Sequence, residues 1–317
     1  MKDKRFKSLD EQIEILKHRG LVISDEEYAK RILLRENYFF LNGYRHLFLK
    51  TSNTDFFLAG SSFEELYSLF LFDRSFRNII FKNLLIIENN LKSIISYQLS
   101  KKYGYKEKDY LKAKNFTTDS TKVKQVNDLL QKMKRQIRIN GAQHSATMHY
   151  ISNYGYIPLW ILVKVLSFGI VCEMVAILKK EDQIVLANVY GVTLDQLLTY
   201  LPILSNYRNL CAHEDILFEN RTQAIIGNTF YHNFLKIDKM DGEYVYGKND
   251  LFALIIIMKQ MLDAEDFKNM TEEIKGIINN LEYNLHTIEI GKVLDRMGFP
   301  DNWEDIKNVE KRNEDEE

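Results

Sequence analysis

One long segment constrains the fold more than any other feature of the chain. From Phe63 to about Tyr103, apolar side chains recur three or four residues apart, which is the spacing of one face of an α-helix. The whole sequence of 317 residues has only three prolines, and its polar residues are rich in Lys, Glu, Asn and Gln. This composition favours helices over strands. The chain is therefore predicted to be all-α, with one long or gently broken helix as a core element.

Capping boxes mark helix starts in the N-terminal part of the chain. In such a box a Ser side chain accepts a hydrogen bond from a backbone N–H, and a Glu three residues later bonds back. The boxes are Ser8 with Glu11, Ser24 with Glu27, and Ser62 with Glu65. They predict helices that begin near Leu9, Asp25 and Phe63. Residues 1–60 are expected to form a helical lead-in subdomain, and residues 61–300 the main helical domain.

Two further segments break the helical pattern. The stretch KIDKMDGEYVYGKND contains an Asp-Gly turn among alternating Tyr and Val residues, which predicts a small β-hairpin insertion. The tail at 301–317 has eight acidic residues against three basic ones, and it is predicted to be disordered.

Cysteine usage and hydropathy favour a cytoplasmic protein. Cys172 and Cys211 cannot form a disulfide framework, and no apolar stretch follows the basic residues at the start of the chain. The longest apolar run, Ile157 to Leu178, is interrupted by Lys164 and Glu173. It is therefore expected to form a buried helical hairpin and not a membrane helix.

The formal net charge of −1 conceals a basic insertion at 101–140. Between Lys101 and Arg138 twelve Lys and Arg residues face only four acidic ones. Such a stripe can hold a polyanion, although lysines also serve simply to solvate helix faces. The candidate RNA-binding residues are Lys101, Lys102, Lys122, Lys124, Lys132, Lys134, Arg135 and Arg138. The tyrosines among these lysines, Tyr103, Tyr105 and Tyr110, could stack on bases or be buried.

The segment LSNYRNLCAHEDILFENR contains the residues with the clearest chemical potential. It lies on a helix predicted over 194–213, with Thr193 and Gln196 as a capping box. Asn209 and His213 share a helix face, and the long side chain of Arg208 could bend toward the same pocket. The alternative is a surface arginine near a hydrogen-bonded core histidine.

RNA supplies its own nucleophile for the chemistry that such residues can perform. The 2′-hydroxyl attacks the neighbouring phosphate if a base removes its proton and a cation stabilises the developing charge. Imidazole titrates near neutral pH and can carry the proton, whereas a guanidinium stays charged and binds phosphate bidentately. DNA lacks the 2′-hydroxyl and should not be cleaved.

RNLCAH resembles the Arg-x4-6-His signature of the HEPN ribonuclease superfamily, and its setting is similar to abortive-infection proteins of the AbiD/AbiF type. The similarity extends to ENYFFLNGYRHLF, FDRSFRNIIFKNLLIIENNLKS, YGYIPLWILVKVLSFG and MGFPDNWEDI. It implies an up-down HEPN-type helical bundle and a metal-independent endoribonuclease toxin in phage defence. Arg208 would clamp the phosphate, His213 would act as acid and base, and Asn209 would orient the substrate or donate a hydrogen bond in the transition state. It also implies a homodimer that brings two motifs into one cleft, and a small structured RNA as a plausible antitoxin.

The resemblance also assigns a supporting pair. Glu88 and Lys92 match a Glu-x3-Lys/Arg element that such proteins often show on an earlier helix, where it could orient the arginine or contact phosphate. An ordinary ion pair between residues four apart is the alternative. Relatives commonly carry a second histidine after the catalytic one, whereas this chain has Glu214 and Asp215, whose charges would repel a substrate phosphate.

No metal and no cofactor are expected. His144 and His149 have no cluster of Cys or carboxylate residues beside them in the sequence, and no glycine-rich phosphate loop is present. Two rival functions remain open. One is an RNA-binding module without catalysis, and the other is a protein-interaction bundle that senses phage infection.

Overall fold

The computed structural model of the chain describes residues 5–51, 53–141 and 143–309. These residues are predominantly helical, which confirms the predicted all-α class. The helices up to residue 154 are α1 (Leu9–His18), α2 (Glu26–Glu36), α3 (Tyr38–Asn42), α4 (Phe63–Tyr103), α5 (Glu107–Tyr110), α6 (Val123–Asn140) and α7 (Ser145–Tyr154). Those that follow are α8 (Leu159–Val165), α9 (Phe168–Ala176), α10 (Lys180–Tyr190), α11 (Leu194–Ala212), α12 (Phe230–Phe234), α13 (Leu251–Met261), α14 (Ala264–Asn284) and α15 (Ile290–Met297). Short 3-10 helices span Gly43–Phe48, Ala113–Asn115, Ser120–Lys122 and Trp303–Asn308.

The long central helix is confirmed as a single element. α4 has 41 residues, and its start is fixed by the predicted capping box of Ser62 and Glu65. Helices α8, α11 and α14 all pack against it. A helix of this length spans about 60 Å at 1.5 Å per residue, so it can connect distant parts of the molecule. The bundle is therefore organised along α4.

Helix α13 lies in the interior of the bundle. All of its residues are buried, from Leu251 to Met261, and it packs against α11 and α14. A helix that is apolar on every side is stable only when other elements surround it. Asp250 caps its first turn by accepting the N–H of Ala253 at 2.9 Å.

The predicted hairpin is also confirmed. Strands β1 (Lys239–Met240) and β2 (Glu243–Tyr244) pair antiparallel. Asp241 and Gly242 between them have φ values of +52° and +87°. Positive φ at both central residues is the requirement of a two-residue turn that matches strand twist, and Asp-Gly satisfies it.

One predicted capping box is wrong. Helix α2 begins at Glu26, and its N-cap is Asp25 and not Ser24. The Asp25 carboxylate accepts the N–H of Tyr28 at 2.8 Å. A carboxylate also interacts favourably with the positive end of the helix dipole, which explains why the helix starts one residue later than the Ser24 box requires.

The apolar run from 157 to 178 forms two short, partly buried helices, α8 and α9, and both of them pack against α6. Within the described ranges no single helix is both long and apolar enough to cross a bilayer. The pair α10 and α11, bent by 78°, meets the length and composition criteria together.

The ordered chain continues beyond the boundary expected at residue 300. The 3-10 helix Trp303–Asn308 buries Trp303 and Ile306, and the Trp303 ring lies 5.3 Å from that of Phe299. The first part of the predicted disordered tail is therefore packed against the bundle. Residues 310–317, the rest of that tail, lie outside the described residues.

Candidate active site

Helix α11 carries the RNLCAH segment to the surface. Its start has the predicted capping box of Thr193 and Gln196, and it continues through Pro202 to Ala212. The predicted end at 213 differs by one residue, because His213 is the C-cap and its N–H bonds to the carbonyl of Asn209. Asn209 and His213 are both exposed. The helix therefore presents this pair to solvent from its last turn.

A buried carboxylate on α4 holds Arg208. Glu88 is only 5% exposed, and its Oε2 lies 3.3 Å from Nε of Arg208. Its Oε1 accepts a hydrogen bond from Lys92 Nζ at 2.7 Å. The structure thus brings together Arg208 and the two supporting residues suggested by the sequence. Of the two roles considered for Glu88, the observed contact corresponds to orienting the arginine.

The terminal nitrogens of Arg208 are available for a ligand. Its guanidinium contacts Glu88 through Nε alone, and within the described ranges its two Nη atoms have no hydrogen-bond partner. The side chain is 29% exposed, and its guanidinium carbon lies 5.7 Å from the centroid of the Phe81 ring. A guanidinium anchored at Nε can still present both Nη groups to phosphate oxygens.

His213 lines a cleft of about 910 Å³ at the end of α11. The walls come from the N-terminal segment 35–46, from the first third of α4, and from the loop 212–219. Among the described residues the imidazole has no hydrogen-bond partner, and Arg208 does not line this cleft. The sequence suggested that the Arg208 side chain could bend into the pocket of His213. Within one chain it turns toward α4 instead.

A buried ion pair that sequence analysis missed fixes the loop after His213. Asp73 is completely buried and pairs with Arg77 one helical turn later. Its carboxylate accepts the N–H of Leu217 at 3.1 Å and of Phe218 at 2.7 Å. The OH of Tyr44 donates to the same carboxylate at 2.7 Å. Burial raises the pKa of Asp73, while Arg77, Tyr44 and the two amides oppose this shift.

This network joins three parts of the chain at the floor of the cleft. Arg77 donates to the carbonyl of Asp215 at 3.3 Å, and the Tyr44 ring stacks on Phe218 with centroids 5.8 Å apart. At Gly43 a Cβ atom would lie only 2.6 Å from the side chain of Ile216, so glycine permits the close approach. Asp73 and Arg77 are charged residues within the otherwise apolar face of α4, and this was the sequence signal that could have revealed their role in holding the loop.

The eight predicted RNA-binding residues divide into two groups. Lys102 pairs with Asp182, Lys132 pairs with Glu173, and Lys122 donates to the carbonyl of Ala176. The others are exposed and have no ion-pair partner among the described residues: Lys101, Lys124, Lys134, Arg135 and Arg138. Four of these five lie on α6, along with the partnered Lys132. The tyrosines also divide, because Tyr110 is buried, Tyr103 donates to Asp182 and Tyr105 is exposed.

The two cysteines are unsuited to act as nucleophiles. Cys172 and Cys211 are both buried, and burial raises the pKa of each thiol to about 12. A thiol with such a pKa is protonated at neutral pH, and the thiolate is the reactive form. Across the described ranges no three His, Cys, Asp or Glu side chains group as metal ligands. Metal-independent chemistry remains a prediction for experiment.

Comparison with known proteins gives one informative result. The family model described as Abi-like protein matches residues 31–219. This range contains the cleft-lining N-terminal segment, all of α4 and the RNLCAH segment. No curated protein and no solved structure gave a significant match.

Proposed function

Because the chain belongs to the Abi-like protein family, we propose that it acts in abortive infection as a metal-independent endoribonuclease of the HEPN type. The observation that carries this proposal is the way in which the Arg208 side chain is held. A buried carboxylate fixes its Nε while its Nη groups stay unpartnered, and an exposed imidazole lies five residues later at the end of the same helix. This is the pair of groups that cleavage by the RNA 2′-hydroxyl requires.

The proposed reaction is an internal transesterification. His213 removes the proton from the 2′-hydroxyl, whose oxygen then forms a bond to the adjacent phosphorus. The bond from phosphorus to the 5′-oxygen breaks, and this oxygen receives a proton from an imidazolium. Arg208 stabilises the charge on the phosphoryl oxygens, and Asn209 orients the substrate. The products are a 2′,3′-cyclic phosphate and a 5′-hydroxyl.

A homodimer would complete the site. In a single chain Arg208 faces α4 whereas His213 faces the cleft, so the two groups do not share one pocket. Packing the exposed last turns of two α11 helices together would place two arginines and two histidines along one groove. An isologous interface of this kind uses the same patch on both subunits. We further propose that a small structured RNA restrains the dimer as antitoxin.

Growth arrest and RNA cleavage test the proposal directly. We expect Arg208→Ala and His213→Ala to abolish both, with cleavage by the wild type unchanged in EDTA. Arg31→Ala and His286→Ala, which alter exposed residues of the same types outside the cleft lining, serve as matched controls. A substrate with a single 2′-deoxynucleotide at the cleaved position should resist cleavage there. Toxicity that survives in both variants, or cleavage that stops on chelation, would contradict the mechanism.

The divided surroundings of Arg208 and His213 favour one alternative, RNA binding without cleavage. In that case, the His213→Ala variant would bind RNA as tightly as the wild type, and neither of these two proteins would generate a cyclic phosphate end. Mapping the 2′,3′-cyclic phosphate ends of cellular RNA after induction distinguishes the two functions.

A further inference from the structure

A connected group of aromatic rings comes from the segment before α5, from α7, and from the start of α8 with the residues just before it. We call it the aromatic cluster, and it consists of Tyr105, His149, Tyr150, Tyr154, Tyr156 and Trp160. Neighbouring ring centroids are 5.3 to 6.4 Å apart. Tyr105 and Trp160 are each 41% exposed and Tyr154 is 56% exposed. Rings with this exposure do not serve as core residues.

The backbone beneath the aromatic cluster is fixed by hydrogen bonds. The carbonyl of Tyr105 accepts the N–H of Leu159 at 3.2 Å, and the OH of Tyr110 donates to the carbonyl of Ile157 at 2.7 Å. The Glu107 carboxylate accepts the N–H of Ile157 at 2.5 Å. The backbone that carries the rings is therefore fixed before a ligand binds, and this reduces the entropy that is lost on binding.

The charge around the aromatic cluster suits a polyanion. Lys106 Nζ lies 4.7 Å from the centroid of Tyr156. Between Asp128 and Glu173 the sequence has no acidic residue, and the basic residues in this interval are Lys132, Lys134, Arg135, Arg138 and Lys164. Helix α6, which carries four of these, packs against α7 and α8. The nearby carboxylate of Glu107 is turned inward to its amide partner.

We propose that the aromatic cluster binds unpaired bases of RNA by stacking, while Lys106 and the basic residues of α6 contact the backbone phosphates. Every base has a π-face, so such a surface accepts single strands of varied sequence. A continuous duplex hides those faces, which excludes it as the occupant. The inference rests on the proposed function only in taking RNA as the ligand. No residue of the aromatic cluster belongs to the described lining of the cleft that contains His213, so the two surfaces are distinct.

Tryptophan fluorescence provides a direct readout, because the chain has two tryptophans and only Trp160 is exposed. The experiment uses the full chain with His213→Ala, so that RNA is not cleaved, and titrates it with a twelve-residue oligouridine. We expect quenching of the fluorescence on binding, and loss of that quenching in Trp160→Phe. A stacked base contributes about 1–3 kcal/mol, so Tyr154→Leu should weaken binding by about 5- to 150-fold.

Conservative and distant variants separate stacking from general damage. Tyr154→Phe keeps the ring and should bind as the parent does, as should Tyr283→Leu, which alters an exposed tyrosine on α14. A duplex of the same length should show no dependence on Tyr154. Unchanged oligouridine affinity in Tyr154→Leu would overturn the inference, and a change in oligomeric mass in that variant would instead identify a protein interface.

The outcomes also separate this inference from the proposed catalysis. If Tyr154→Leu binds weakly while His213→Ala stays toxic, the catalytic proposal fails and the aromatic cluster remains an RNA-binding site. If cleavage needs His213 but oligouridine binds equally well to the parent protein and to its Tyr154→Leu variant, only the stacking inference fails.

Discussion

Glu88 is the residue on which the arrangement of the candidate site depends most. One carboxylate, almost fully buried, is shared by the cations of Lys92 and Arg208. Removing one member of a buried ionic group leaves an uncompensated charge, which costs several kcal/mol. A simple loss of activity in a Glu88 variant would therefore not distinguish positioning from unfolding.

A paired substitution separates the two roles of Glu88. We expect Glu88→Gln alone to lower the free energy of unfolding by about 3 kcal/mol, because Lys92 is left buried without its counter-charge. Adding Lys92→Met should restore most of that stability. RNA cleavage should stay about tenfold or more below wild type in the double variant, because Arg208 remains unanchored. Urea unfolding and single-turnover cleavage measure the two effects, and full recovery of cleavage together with stability would show that Glu88 is structural only.

Glu214 has a strained backbone directly after His213. Its φ is +58°, in the left-handed region that residues with a Cβ avoid. Glu214→Gly should therefore increase the free energy of unfolding by up to about 1 kcal/mol. Asp215→Gly is the matched control, since it removes the same charge at a neighbouring position without positive φ and should be destabilising. Equal effects of the two substitutions in urea unfolding would show that charge, and not backbone strain, is responsible.

At the scale of elements, the loop after α11 depends on the buried hydroxyl of Tyr44. This hydroxyl donates to Asp73, whose carboxylate holds the amides of Leu217 and Phe218. We expect Tyr44→Phe to lower stability by about 1–2 kcal/mol, because a charged acceptor loses a donor. Hydrogen exchange at Leu217 and Phe218 should accelerate more than at residues of α13.

Tyr190→Phe is the control for the Tyr44 substitution. Its hydroxyl is also buried, but it has no hydrogen-bond partner within the part of the chain that the structure describes. The same chemical change should therefore be neutral or slightly stabilising. If both substitutions changed stability and exchange equally, the Asp73 network would not be what holds the loop.

Local signals predicted the starts of three helices and the β-hairpin, whereas contacts between distant segments were not predictable. The capping boxes at Ser8, Ser62 and Thr193 and the Asp-Gly turn act within four residues, so the sequence alone displays them. The pairing of Glu88 with Arg208 joins residues 120 positions apart, and only the resemblance to a known family suggested it. The role of Asp73 was missed because its partners lie on a loop 144 positions away.

At the scale of the whole molecule, the N-terminal segment is part of the site and not only a lead-in to it. Residues of α2 and of the following 3-10 helix line the cleft with His213, and Arg74 of α4 pairs with Glu36 of α2 at 2.6 Å. The family match likewise starts at residue 31, within α2. Residues on both sides of the domain boundary predicted at residue 60 therefore line the same cleft.

Assembly is the property of the whole molecule that the proposed function requires. If one groove needs the motifs of two subunits, cleavage per chain must rise with protein concentration until every chain is paired. An excess of inactive His213→Ala chains should then capture wild-type chains in mixed dimers with a single catalytic histidine. With a tenfold excess and free subunit exchange, only about one wild-type chain in eleven keeps a wild-type partner, so activity should fall about tenfold. A tenfold excess of albumin controls for crowding and competition. If activity per chain did not depend on concentration and the inactive variant had no effect, each subunit would cleave RNA alone. Arg208 and His213 would then have to meet within one chain, by a movement of the Arg208 side chain away from Glu88.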